Sequence, residues 1–340
     1  MGAWTLIKRT SNRRSGWTGA ILLALFLGVG SAGAQPAQPP DFQQWLASLR
    51  QEALGKGISQ GIVTQTLTDI QPIARILELD AKQPERTISF DTYLARTVTK
   101  QRIAKARELY RTHHLLLQKV GSQYGVQPRF IVALWGMETD FGRNMGGFKV
   151  VDALATLAYD GRRSAYFRQE LLEALQILDQ GHITPERMLG SWAGAMGQSQ
   201  FMPSSFLRYA QDFDGDGRRD IWGTPADVFA SAANYLSKVG WHMDQNWGRE
   251  VKLPKKGDFT SFLGLDKAQS LSVWSKRGVR QANGKPLPAA SVSAALVLPD
   301  GPGGKAYLVY DNYRTIMNWN RSTYFATAVG ILADHIGAGV

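Results

Sequence analysis

Glu138 is the residue whose neighbours in the chain most favour acid chemistry. In the run Phe130-Ile-Val-Ala-Leu-Trp-Gly-Met-Glu-Thr-Asp-Phe141, helical spacing puts Ile131, Leu134 and Trp135 on one face with Glu138, seven, four and three positions before it. A carboxyl held against such a face loses hydration, which disfavours its charged form and raises its pKa. That is the tuning a general acid needs near neutral pH, and cleavage of a glycosidic bond is one reaction that needs such an acid. A solvated or arginine-paired glutamate at a helix rim is the competing reading. Asp140, two positions on, points elsewhere and reads as a cap or surface residue.

Most glycosidases add a second carboxylate, about 5 Å from the first in retaining enzymes and roughly 6.5–9.5 Å away in inverting ones. No partner close in sequence presents itself. Asp152 and Asp160 are near only along the chain, so a mechanism with a single acid carries weight. A different chemistry is written at Asp212-Phe-Asp-Gly-Asp-Gly-Arg-Arg-Asp220. Side-chain oxygens fall at positions 1, 3, 5 and 9 of an EF-hand opening, Gly217 falls at position 6, and the carbonyl of Arg218 at position 7. Gly223 stands at position 12, where a bidentate glutamate is usual. Four acids in so short a loop repel one another without a cation; calcium is the expected ion, with sodium as a substitute. The five histidines lack zinc-ligand spacing and the glycine-rich segments lack a phosphate-loop pattern. No organic cofactor is expected.

The elements that must position these groups read as mainly helical. Helices are expected from Asp41, over Ile58–Ile70, over a long stretch from Asp91 to Tyr124, and over 128–141, 151–159, 164–179 and 225–239. Pro128 is suited to a first helical turn. Ser291–Leu298 and Ala306–Tyr310 are strand-like and flank the turn cluster Pro299-Asp-Gly-Pro-Gly-Gly304, which predicts a hairpin. A last helix is expected over Ser322–His335. The division that follows is a signal peptide (1–34), a linker (35–40), an N-terminal helical region (41–127), a catalytic core with the acidic loop (128–249), a small β region (250–311) and a C-terminal helical segment (312–340).

Lys8, Arg9, Arg13 and Arg14, the uncharged run Ala20–Val29 and the small residues Ser31–Ala34 form a secretory signal pattern with cleavage after Ala34. An uncleaved segment serving as an anchor is the other possibility. Removing four basic and no acidic residues takes the formal charge from +11 to +7. A basic surface suits polyanions; export argues against nucleic acid and fits an anionic cell-wall polymer, while solubility alone explains the charge equally well. With no cysteine in the chain, disulfides and thiolate zinc sites are excluded.

Three motifs carry a resemblance. Glu138-Thr-Asp-Phe-Gly-Arg143, Asp152-Ala-Leu-Ala-Thr-Leu-Ala-Tyr-Asp-Gly-Arg-Arg163 and Gly190-Ser-Trp-Ala-Gly-Ala-Met-Gly-Gln-Ser-Gln-Phe-Met-Pro203 occur in order, followed by Asp212–Gly217 and Ala233-Asn-Tyr-Leu236. Together they resemble lytic murein transglycosylases of the membrane-bound B type, glycoside hydrolase family 103, over nearly all of the chain after the signal. The resemblance implies a lysozyme-like core with a flanking helical region and a small β insertion. It implies periplasmic cleavage of the β-1,4 bond between N-acetylmuramic acid and N-acetylglucosamine in peptidoglycan, with a 1,6-anhydro product. Glu138 matches the glutamate that serves as acid and then base, and the substrate's own 6-hydroxyl takes the place of a second carboxylate.

The same resemblance implies substrate contacts for Ser191, Gln200, Arg162, Arg163 and Tyr235, and more remotely for Tyr93. Turn chemistry would explain Ser191 and Gln200 as well, an ion pair with Asp152 or Asp160 would explain the arginines, and core packing would explain Tyr235. Trp319 stands where the family usually has tyrosine, before Asn320-Arg-Ser322; it keeps a ring for stacking on sugar and lacks the hydroxyl. The resemblance also implies that a later acid closes the metal loop, and Asp227 fits, joining Asp212, Asp214, Asp216 and the Arg218 carbonyl. Glycan strands are the implied partner, with room for other cell-wall enzymes; the sequence sets no oligomeric state. A lysozyme-like hydrolase and a noncatalytic peptidoglycan-binding scaffold are the alternative readings.

Overall fold

Side chains that satisfy the first free backbone N–H groups mark where the helices begin. A computed structural model describes residues 41–81, 88–161 and 163–339; the signal segment, the linker and Arg162 lie outside the described residues. Asp41 caps α1 (Phe42–Gly55) and Ser59 caps α2 (Gln60–Leu67), which lead to α3 (Ala74–Ala81). Ser89 caps α4 (Phe90–Thr97) and Thr99 caps α5 (Lys100–Thr112), followed by α6 (His114–Tyr124). Proline occupies the first turn of α7 (Pro128–Thr139). After β1 (Phe148–Lys149) come α8 (Val150–Tyr159), α9 (Ser164–Asp179), β2 (Leu189–Gly190), α10 (Pro203–Tyr209) and α11 (Pro225–Lys238), the last two again opening on proline. The chain then forms β3 (Gly248–Lys252), β4 (Gln269–Ser270), α12 (Leu271–Lys276), β5 (Arg280–Gln281), β6 (Ser293–Val297), β7 (Ala306–Val309), α13 (Asp311–Trp319) and α14 (Thr323–Gly337).

The helix expected from Asp91 to Tyr124 is three helices. Thr97-Val-Thr99 is a β-branched run, and the Thr99 hydroxyl accepts the Arg102 N–H at 3.1 Å, so local capping outcompetes continuation. The second break is at His113, whose ring lies edge-on to Trp135 and Phe229 at 6.0 and 5.3 Å. His113 is therefore half-buried beneath α7, and burial lowers its pKa.

α7 is the centre of the molecule. From Phe130 to Trp135 no residue is more than 8% exposed, as its sequence, apolar on every side, requires. α5, α6, α11 and α14 pack around it. Gly136 admits the ring of Phe141: a Cβ there would sit 2.7 Å from two ring atoms.

The hairpin β6–β7 forms as expected, with Ala295 opposite Val309 and Val297 opposite Tyr307. It belongs to a five-stranded antiparallel sheet of order β4-β6-β7-β3-β5. β3 starts at Gly248, so the sheet begins two residues before the expected boundary. Its other strands are two to five residues long, too short for period-two alternation to stand out. Alternate residues explain why β6 and β7 are apolar throughout. Ala295, Val297, Tyr307 and Val309 face the helical core, while Ala294, Leu296, Ala306 and Leu308 face a smaller core around Trp274.

Helix propensity alone favours alanine over glycine by about 1 kcal/mol, yet Gly136→Ala is expected to destabilise the protein by about 1–2 kcal/mol, because the added methyl overpacks Phe141. Urea unfolding distinguishes the two signs.

Candidate active site

Glu138 sits in the last turn of α7 and is 9% exposed. Its neighbours are those the helical spacing predicts, Ile131, Leu134 and Trp135, joined by Val228 and Phe229 of α11. Burial raises its pKa from the usual carboxylate range to about 7, while the Trp319 indole N–H, which donates to Oε1 at 2.8 Å, pulls it the other way. The negative end of the α7 dipole disfavours the ionised form in the same sense as burial.

Two residues that sequence reasoning passed over shape this niche. Gln198 accepts the Trp135 indole N–H at 2.7 Å and donates its own amide to the Trp222 carbonyl at 2.7 Å. Its backbone carbonyl accepts the Thr139 hydroxyl at 3.0 Å. It thereby fastens the end of α7 to the Gly190–Pro203 segment. Ser199 is 4% exposed, lines the same cavity of about 10 Å³, and its hydroxyl has no hydrogen-bond partner. An amide beside a hydroxyl within that segment was the only available signal, and it says nothing of what either would touch.

Trp319 is the wall between this niche and a larger open cavity of about 180 Å³, which Tyr166, Glu170, Gln200, Phe201 and Tyr235 also line. Its ring stands 4.8 Å from Tyr235 and 5.2 Å from Phe201. Gln200 adopts a left-handed backbone (φ +49°) and donates its amide to the carbonyls of Met145 and Gly197. Burial, followed by the neighbouring Tyr209, pushes the Tyr235 hydroxyl up to about 12. Tyr93 is also pushed up to about 12, first by burial and then by the negative charge of Glu138, with Arg102 pulling the other way. It is therefore within electrostatic reach of Glu138.

Other expected contacts are arranged differently. The Ser191 hydroxyl accepts the Ala195 N–H at 3.0 Å, so it builds the turn. Arg163 pairs with buried Asp80 at 2.7 Å and lies over the Phe167 ring; its partner is neither Asp152 nor Asp160. Asp140 ends α7 in a left-handed conformation and pairs with Arg102 and Arg143. Glu170 is a second buried carboxyl, but Ser204 engages both its oxygens, through N–H at 2.9 Å and hydroxyl at 2.7 Å. It caps the start of α10, and among the described residues Glu138 is the only carboxyl lining its own niche.

In the acidic loop, carboxylate oxygens of Asp212, Asp214 and Asp227 lie within 4.8 Å of one another, a spacing a calcium ion can span with ligands at about 2.3–2.6 Å. Asp227 is fully buried, and its oxygens accept the Phe213 and Asp220 N–H groups at 2.7 Å each. Burial, reinforced by Asp214 and Asp212, raises its pKa to about 6. Asp216 is not gathered into this group; it turns to Arg218, 3.4 Å away.

A buried acid whose pKa is raised, beside an open cavity lined by amide and aromatic groups and by a carboxyl already engaged as a helix cap, is suited to acid-assisted cleavage of a sugar polymer. Residues 41–334 match the transglycosylase SLT domain family, and the chain belongs to it. It is 30% identical over 330 residues to membrane-bound lytic murein transglycosylase B of Escherichia coli (strain K12), covering 94% of this chain and 89% of that protein. The crystal structure of SltB3 from Pseudomonas aeruginosa in complex with NAG-anhNAM-pentapeptide is similar, with TM-score 0.85 and 42% identity over 88% of this chain and 81% of that one. So is the Escherichia coli lytic transglycosylase Slt35 in complex with calcium, with TM-score 0.72 and 29% identity over 89% and 94% of the two chains. The fold is thus mainly helical and lysozyme-like, with small sheets, as the sequence implied.

Because the folded pKa of Glu138 lies above its unfolded value, ionisation opposes folding: stability is intact below about pH 4.5 and is lost as pH rises through about 7. Glu138→Gln removes this cost. Its stability advantage over wild type is expected to grow from near zero at pH 4 to about 3 kcal/mol at pH 8, measured by denaturant titration at each pH.

Proposed function

We propose that Glu138 is the sole acid and base of the reaction and that its nucleophile belongs to the substrate. The chain is a lytic transglycosylase of peptidoglycan; the proposal concerns how it cleaves. Protonated Glu138 gives its proton to the oxygen joining C1 of N-acetylmuramic acid to C4 of N-acetylglucosamine. The C1–O bond breaks and the glucosamine leaves with a hydroxyl. The Glu138 carboxylate then takes the proton from the muramic acid 6-hydroxyl as O6 bonds to C1. A 1,6-anhydro ring closes, no water is consumed, and Glu138 is again protonated.

The observation that carries this reading is the isolation of Glu138. Among the described residues no second carboxyl lines its niche, and Glu170 in the neighbouring cavity is occupied as a helix cap. A pKa raised to about 7 suits a group that must give and then recover a proton. Gln200, Tyr235 and Tyr93 are proposed to contact the sugars. Ser191 shapes the turn beside them, and Arg162 and Arg163 are proposed to meet a substrate carboxylate, Arg163 while paired with Asp80. The SltB3 complex with a pentapeptide-bearing disaccharide supports a muropeptide in the groove. We further place the enzyme in the periplasm. Among the described residues no helix is long and apolar enough to cross a membrane.

Asp212, Asp214 and Asp227 are proposed to hold a structural calcium ion, with Asp216 and the Arg218 carbonyl as possible added ligands from the same loop. The ion would offset their mutual repulsion and tie the loop to α11.

Glu138→Gln is expected to lower release of 1,6-anhydro-muropeptides from purified sacculi by at least about 100-fold while sedimentation with sacculi persists. Mass spectrometry of products checks it: reducing ends would indicate hydrolysis, and undiminished release would remove Glu138 from the reaction. For the metal, chelation is expected to lower the melting temperature and calcium to restore it, whereas Asp227→Asn should blunt both responses. No shift with either treatment would exclude the site.

A further inference from the structure

The hydrogen bond between Trp319 and Glu138 makes the two carboxyl oxygens inequivalent. Trp319 ends α13, is 5% exposed, and is wedged between Phe201 and Tyr235. Its indole can donate a hydrogen bond and cannot accept one. The Nε1–H points at Oε1 from 2.8 Å. The carbonyl oxygen of a carboxylic acid accepts a hydrogen bond far better than its hydroxyl oxygen, so this contact favours the acid form that carries its proton on Oε2. In the carboxylate form the same N–H stays bonded to Oε1. The contact therefore survives both protonation states while only the other oxygen changes.

We propose that Trp319 is a positioning residue that confines the proton chemistry of Glu138 to Oε2 and holds that oxygen in one orientation through the reaction. The proposal rests on Glu138 being the acid and base. It adds a role to Trp319 beyond a sugar-stacking ring.

The groups around Glu138 leave this assignment to Trp319. On α11, Val228, Phe229 and Ala232 are apolar. Gln198 has both ends of its amide engaged elsewhere. Ser199 contributes a neutral hydroxyl that is free to donate or accept, so it cannot fix the proton on one side. From α4, Tyr93 feels the Glu138 charge, and from α5, Arg102 is paired with Asp140 at 3.3 Å. Neither carries a bond to Oε1 in the structure.

The test uses Trp319→Phe, which keeps an aromatic wall and loses the N–H, and Trp319→Tyr, which returns a donor that can also accept. For each, kcat and KM for anhydro-product release from a soluble glycan would be measured from pH 4 to 9, beside Glu138→Gln. Loss of a bond that favours the charged carboxylate should move the alkaline limb of the Trp319→Phe profile up by about one pH unit. Its kcat should fall about tenfold with little change in KM, and Trp319→Tyr should recover part of the loss. A limb that stays in place, with the defect confined to KM, would overturn the proposal and leave a stacking role. Persistent activity in Glu138→Gln would instead sink the acid–base reading beneath it.

Should Trp319→Phe fail to fold, the wild-type indole N–H resonances decide. One must titrate with the same midpoint as activity and lose that response in Glu138→Gln. Indole signals that all ignore pH across this range would reject the contact.

Discussion

An ionisable group held where water is scarce is the constraint around which this molecule is organised. Burying a carboxyl is unfavourable unless it stays neutral or gains donors. Glu138 does both in part: its pKa rises toward neutrality, and one indole N–H supports the charged form. The balance depends on α7 being packed on all sides. It also depends on α13 placing a donor from a part of the chain 181 residues away. Helices before α7 (α5 and α6) and after it (α11, α13 and α14) thus all serve the microenvironment of one carboxyl.

Much of this was legible where the information is local. The apolar face before Glu138, Pro128 in the first turn of its helix and the turn between β6 and β7 each act within a few positions. Local rules also explain a miss: Thr99 is a good cap, yet helical periodicity on both sides suggested one long helix from Asp91. The burial of His113 was not legible, because its polar sequence neighbours conceal the rings that reach it from α7 and α11.

What was hidden depends on pairs distant in sequence. Nothing near Arg163 reveals Asp80, and the candidates Asp152 and Asp160 were attractive only by proximity along the chain. Trp319 could be flagged as an unusual residue, but its contact with Glu138 required the fold. The acidic loop lies between: its spacing is written in the sequence and Asp227 came by resemblance, while the turning away of Asp216 toward Arg218 follows from local side-chain competition.

The five-stranded sheet has a consequence of another kind. Since successive residues of β6 and β7 belong alternately to the large helical core and the small one around Trp274, neither core can melt without stripping one face of the same strands. The β region is consequently joined to the helices as one cooperative unit rather than appended as a movable module. Over evolution, its tolerance for added length is confined to exposed connections such as 255–258 and the turn at 301–304. Variation there can remodel the outer surface while the strands keep their place against the helices.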